Sequence, residues 1–154
     1  MSYQSYLESL PKKRMGAGCL LFDSAGRLLI LKPTYRENWL IPGGVVEANE
    51  SPRDACVREV KEEIGLDCQP LRLLCVDYVC GEDNYGEALQ FVFWGGVIRE
   101  KEIVLADEEI SDYQFASVAE ALNLLGRHAQ RRIYWGLEAL KVEETFYLEN
   151  HEKV

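Results

Sequence analysis

The sequence predicts a single domain of the α/β class. Its 154 residues match the ~150 of an average domain, and 47% hydrophobic with 28% charged residues is an ordinary globular composition. Short apolar runs closed by Gly, Asp or Pro alternate with longer stretches of helical spacing and capping signals. A chain of this length buries roughly 68–70% of its unfolded surface, so its core needs no covalent staple.

Residues 1–14 are polar, and Pro11 followed by Lys12, Lys13 and Arg14 reads as an extended lead-in to a domain of residues 15–154. Met15 to Phe22 is an apolar strand and Arg27 to Lys32 its partner. Asp23-Ser24-Ala25-Gly26 supplies the turn chemistry between them. Pro33 to Asn38 is a polar loop carrying Tyr35 and Arg36. Trp39-Leu40-Ile41 is a short apolar segment cut off by Pro42-Gly43-Gly44, beyond which the backbone reaches conformations closed to other residues. Ser51-Pro52 marks a helix start, with Ser as cap and Pro in the first turn. That helix runs to about Ile64 with Gly65 just past its end.

Leu71 to Cys80 and Ala88 to Ile98 are strands, joined by the hydrophilic segment 81–86. Residues 99–111 form an acidic loop, Asp112 to Ala116 a last short strand, and Ser117 opens a helix to Leu125. A further helix from Arg127 to Val142 places Ile133, Leu137 and Leu140 on one face. The sequence contains no internal repeat and no linker.

Charge and cysteine usage narrow the function. Seventeen Lys+Arg against 26 Asp+Glu leaves −9, a balance that repels a phosphate backbone and argues against broad nucleic-acid binding. A small phosphate ligand stays compatible, because bound cations can bring the positive charge. The five cysteines are odd in number and lack CxxC spacing, so they read as buried thiols rather than disulfides or a zinc site. Lys12-Lys13-Arg14 before Met15 to Phe22 imitates a secretory signal, but the run stops at Asp23 without a small-x-small cleavage site. No stretch approaches the ~20 apolar residues of a membrane span. A cytoplasmic protein without membrane association is the expectation.

The segment GVVEANESPRDACVREVKEEIGL, Gly44 to Leu66, carries the chemistry. On a helical wheel advancing ~100° per residue, Glu59, Glu62 and Glu63 share one arc of ~100°, apart from a core-facing stripe of Val57, Val60 and Ile64. Gathered carboxylates repel one another unless a cation occupies them, and hard oxygens suit Mg²⁺. Arg58 lies beside the cluster, where a guanidinium holds carboxylates in fixed orientation. Gly43 and Gly44 let the backbone come close. Taken alone, a glutamate-rich helix face is solvated surface with i,i+4 pairs such as Arg58 with Glu62.

This stretch resembles the Nudix box, G-x5-E-x7-R-E-U-x-E-E-x-G-U, where U is aliphatic. Gly44, Glu50, Arg58, Glu59, Val60, Glu62, Glu63, Gly65 and Leu66 fill every specified position. The resemblance covers about residues 15–142 and implies the Nudix fold, a mixed β-sheet sandwiched between helices (α/β/α). It implies Mg²⁺-dependent hydrolysis of a phosphoanhydride in a nucleoside diphosphate linked to another group, a nucleoside triphosphate or a nucleotide sugar, with Mn²⁺ an alternative ion. Glu59, Glu62 and Glu63 are the implied ligands, with the Gly43 carbonyl a fourth contributor. Glu50 and Arg58 fix the loop and helix. The general base is open between Glu59, Glu62 and the loop acids Glu108 and Glu109.

Substrate contacts are expected at Gly44, Arg36, Trp39, Tyr78, Glu108 and Glu109, and Tyr35, Tyr85 and Phe93 are further stacking candidates. Gly81 stands where ADP-ribose pyrophosphatases often carry proline, and Tyr85 is only loosely placed for a dinucleoside polyphosphate hydrolase. Those two activities, and a binding module without turnover, are the alternatives. The partner is a small nucleotide or diphosphate. Dimers are frequent among similar proteins, which leaves a homodimer open.

Overall fold

The computed structural model describes residues 1–70, 72–81, 86–106 and 108–154. Eight strands among the described residues form one mixed sheet: β1 (Arg14–Phe22), β2 (Leu28–Pro33), β3 (Gly43–Val45), β4 (Arg72–Val79), β5 (Ala88–Val97), β6 (Ile110–Ala116), β7 (Phe146–Glu149) and β8 (Glu152–Lys153). The helices are α1 (Tyr3–Ser9), α2 (Pro52–Ile64), α3 (Val118–Leu124) and α4 (Arg127–Val142). The order across the sheet is β6-β2-β1-β5-β4-β7-β8, with β3 also paired to β1. β1 runs parallel to β5 and β4 parallel to β7; the other pairings are antiparallel.

The sheet separates two apolar cores. Leu20, Leu28, Ile30, Leu74 and Val92 face Ala121 and Leu125 at α3 and Ile133 and Leu137 on α4. Ala17, Cys19, Leu21, Leu29 and Leu31 face Ala55, Val60 and Ile64 on α2. Both faces of β1 and β2 are therefore covered, which is why these strands read as unbroken apolar runs instead of alternating ones. Complete burial of Leu20, Leu21 and Leu28 to Leu31, at ~1.5–3 kcal/mol per side chain, makes this pair of strands the structural spine. Helices on both sides give the three-layer α/β/α arrangement expected above.

Several elements depart from the sequence reading. The lead-in 1–14 is not extended throughout: Ser2 caps α1 by accepting from the Ser5 N–H at 3.1 Å, and Gln4 donates to Glu8 at 3.0 Å. Pro11 constrains only its predecessor, and Leu10 is accordingly extended. Gly43-Gly44 is not merely a break. It forms β3, with Gly43 opposite Gly18 and Gly44 opposite Ala17, because ladder pairing needs backbone and no side chain. The acidic loop contains a 3₁₀ turn at Glu100–Glu102 and ends earlier than expected, at Ile110. Asp112 to Ala116 belongs to a strand that is not the last, since β7 and β8 follow α4.

Candidate active site

Two caps fix α2 in register. The Ser51 hydroxyl accepts from the Asp54 N–H at 3.0 Å, and Gly65 takes the left-handed conformation at φ 74° past the last turn. With Ala55, Cys56, Val60 and Ile64 sunk in the core, the helix can turn only one way. Its remaining face then meets β3 and the chain from Val45 to Glu50.

Arg58 is the hub of that contact. Its Nε and Nη2 donate to the two oxygens of Glu50 at 2.8 and 3.0 Å, a bidentate pair. Nη2 also donates to the Val45 carbonyl at 2.9 Å, and Nη1 to Glu59 at 2.9 Å and Glu62 at 3.1 Å. Hydrogen bonds from Arg58, helped by the Glu47 N–H, hold the Glu50 carboxyl down at about 2. One guanidinium thus locks the loop, β3 and two of the three expected ligands.

Glu63 differs from its neighbours. It is 5% exposed and accepts the Gly43 N–H at 2.9 Å. Burial pushes its carboxyl up to about 8 against that hydrogen bond, and the charges of Glu59, Glu109 and Glu62 add to the rise. Burial also raises Glu59, although Arg58 opposes it, and Glu62 and Glu109 contribute. Gly44 lies directly against the Glu59 carboxylate, where a Cβ would collide with it. Glu109 therefore belongs to the acidic group. Thr34 fastens that loop, its N–H donating to the Glu109 carbonyl at 2.9 Å and its hydroxyl to the Glu108 carbonyl at 3.0 Å.

No three Asp, Glu, His or Cys side chains among the described residues converge as a closed ligand set, because Arg58 draws Glu59 and Glu62 while Glu63 turns to Gly43. Magnesium does not require a closed cage; it keeps several waters and takes one or two carboxylates. A carboxylate pushed up by burial and further by the charges of neighbouring acids, with a second acid touching the adjoining glycine, is a donor set that fits a hard divalent cation.

On the opposite face of the sheet, β1, β3 and β5 floor a cleft of about 340 Å³ that Gly16, Gly18, Gly43, Gly44 and Gln90 line and Arg36 borders. Glycines 43 and 44 therefore touch the cleft on one side and the carboxylates on the other. Arg36 and Tyr35 stand at its mouth, with the Arg36 guanidinium 5.3 Å from the Tyr35 ring. Trp39 does not join them: it packs against the α3/α4 core, and its backbone N–H donates to the Leu124 carbonyl at 3.1 Å. Tyr78 spends its hydroxyl on Glu87 at 2.6 Å, and Phe93 is buried beneath α2. The stacking candidate Tyr85 lies outside the described residues.

The sequence reading missed a second polar cluster. Asp77, with no exposure, accepts Arg132 Nε at 2.8 Å, the His151 N–H at 3.0 Å, and lies 2.7 Å from His151 Nδ1. Burial opposes ionisation of Asp77, but His151 and Arg132 prevail and lower it below the ordinary carboxylate range. A lone acid inside the apolar run Leu-Cys-Val-Asp-Tyr-Val was the available signal.

Comparison with known proteins adds an independent line. A family model described as NUDIX domain matches residues 12–135. The chain is 42% identical over 62 residues to an 8-oxo-dGDP phosphatase of Danio rerio, covering 38% of this chain and 19% of that protein. It is 38% identical over 61 residues to an RNA pyrophosphohydrolase of Hydrogenovibrio crunogenus, covering 40% of this chain and 37% of that one. The matched stretch is thus well under half the length of either relative. In three dimensions it resembles a MutT protein from Methanosarcina mazei with a TM-score of 0.70 at 23% identity, covering 89% of this chain and 100% of that chain.

Proposed function

This chain belongs to the Nudix family, and from that premise we propose that it is a Mg²⁺-dependent hydrolase of a phosphoanhydride in a nucleoside diphosphate linked to a further group. The observation that carries the reading is Glu63, a nearly buried carboxylate among three other acids, touching the glycine strand that floors a cleft. Glu59, Glu62 and Glu63 would hold the ion, with Mn²⁺ an acceptable substitute. When bound, the cation neutralises phosphate oxygens and lowers the pKa of attacking water.

The chain's own residues do the rest. Arg58 sets the positions of Glu50, Glu59 and Val45 at once, so the acids meet a diphosphate already oriented, a source of rate through positioning. Glu59, Glu62, Glu108 and Glu109 are the candidates to take the proton of the attacking water, and Glu59, Glu109 and Glu62 are those whose charges reach Glu63. Gly43 and Gly44, lacking side chains, allow the diphosphate to approach. The two sequence relatives above are named as an 8-oxo-dGDP phosphatase and an RNA pyrophosphohydrolase, which supports the bond class and leaves the attached group open. The five unpaired thiols support a reducing, cytoplasmic setting; among the described residues no helix is long and apolar enough to cross a membrane.

The test is to incubate the protein with Mg²⁺ and a panel of nucleoside triphosphates, dinucleotides and nucleotide sugars, then quantify phosphate and pyrophosphate. At least one member is cleaved. Glu63→Gln lowers kcat by about 10² or more with an unchanged circular dichroism spectrum; turnover at the parental rate would remove Glu63 from the site.

A further inference from the structure

The chain carries −9 overall, yet one end of its cleft is basic. Beyond Gly16 the cleft widens into a space of about 640 Å³ bordered by Arg14, Arg36, Arg132, His128, His151 and Gln90. Among the described residues that line it none is acidic. Arg14 and Arg36 make no ion pair with any described residue. Glu87, between the lining residues Gly86 and Ala88, gives its carboxylate to Lys13 and Tyr78. Asp77 is fully buried behind the wall, with its oxygens given to Arg132 and His151. It orients those two groups from the rear and leaves the front positive.

His151 is placed there by the two-residue turn between β7 and β8. Asn150 and His151 are consecutive non-glycine residues with positive φ, 48° and 71°. The Asn150 side chain accepts the Cys80 N–H at 2.9 Å and its N–H donates to the Tyr78 carbonyl at 2.7 Å, which holds the turn in that conformation. Positive φ at both positions is the favoured geometry of a two-residue hairpin turn, and Asn suits it, so the β7–β8 hairpin fixes where the imidazole stands. His128 lies beside it, with ring centroids 4.6 Å apart and the rings tilted by 45°.

We propose that this end of the cleft binds a phosphate group of the substrate remote from the anhydride that is cleaved. The inference rests on the reading of the Nudix box given above and deepens it by naming a substrate class: small diphosphates that carry an additional phosphomonoester. Guanidinium forks recognise phosphate bidentately and remain charged at every working pH. Gly18 pairs with Gly43 and Arg14 lies four residues earlier on the same face of β1, which at ~3.3 Å per residue separates the two ends of the cleft by roughly 13 Å, more than the adjacent phosphates of one diphosphate span.

The chain has two histidines, both at this site, so their imidazole resonances report on it alone. The experiment titrates the intact protein with two matched pairs, NAD and NADP, and dephospho-coenzyme A and coenzyme A. Affinity is followed by calorimetry and both histidine signals by proton NMR, and hydrolysis is assayed separately with Mg²⁺. The phosphorylated member of at least one pair binds about tenfold tighter or better and moves both histidine signals, and Arg14→Ala and Arg36→Ala bring the pair toward parity. Equal affinity within both pairs, no detectable binding, or unmoved histidines overturns the proposal. Preferential binding without hydrolysis would sink the catalytic reading and leave this one; hydrolysis without preference would do the reverse.

Discussion

Arg58 shows how much one side chain can determine. It touches the loop through Glu50, β3 through the Val45 carbonyl, and the helix through Glu59 and Glu62. Glu50 titrates at about 2 when folded against an ordinary 4.5, so between those values the unfolded chain binds the proton and the folded chain does not. Its contribution to stability is complete above 4.5 and disappears as the pH falls toward 2. Urea midpoints measured from pH 5 to pH 2 will decline in the parent, and Glu50→Gln will decline less. Gly44→Ala gives a second check at this scale. Its Cβ has to displace the Glu59 carboxylate, so kcat/KM falls by about tenfold or more while the far-ultraviolet spectrum is preserved. Spacing made these acids legible, because a helical wheel needs only local geometry. It could not show that Glu63 is sealed in and Glu62 left at the rim, since that depends on β3 lying over the helix.

At the level of elements, α2 was readable to the residue because both ends carry chemical stops, Ser51-Pro52 and Gly65. Ser51→Ala leaves the Asp54 N–H without its partner and costs about 1 kcal/mol, measurable as a lower urea midpoint with unchanged slope. Elements lacking such local marks went unseen. β3 is three residues long with two glycines, and its only cause is the neighbouring edge of β1. β7 is four residues, too short for alternation to register, and it pairs with β4 some seventy positions away. α1 was hidden by Pro11, whose influence stops at the preceding residue. In each case the missing information was tertiary.

Across the whole molecule, the Asp77 cluster joins β4, α4 and the β7–β8 turn through one buried carboxylate. Removing it strands Arg132, whose side chain is 15% exposed, without its counter-charge. Asp77→Ala is expected to lose about 3–5 kcal/mol, visible in thermal melts, with hydrogen exchange accelerating first after Glu143. The three-layer class was legible because composition and element sequence leave few ways to cover both faces of a sheet. The position of the cleft was not, because its walls come from β1, β5, α4 and the last turn.

Strand β1 alternates, with Arg14, Gly16 and Gly18 on one side and Ala17, Cys19 and Leu21 on the other. On the two proposals above, selectivity and cutting fall on opposite sides of a single ribbon. A library confined to positions 14, 36, 90 and 128 would retune which molecule is admitted, while the blade behind the ribbon stays sharp.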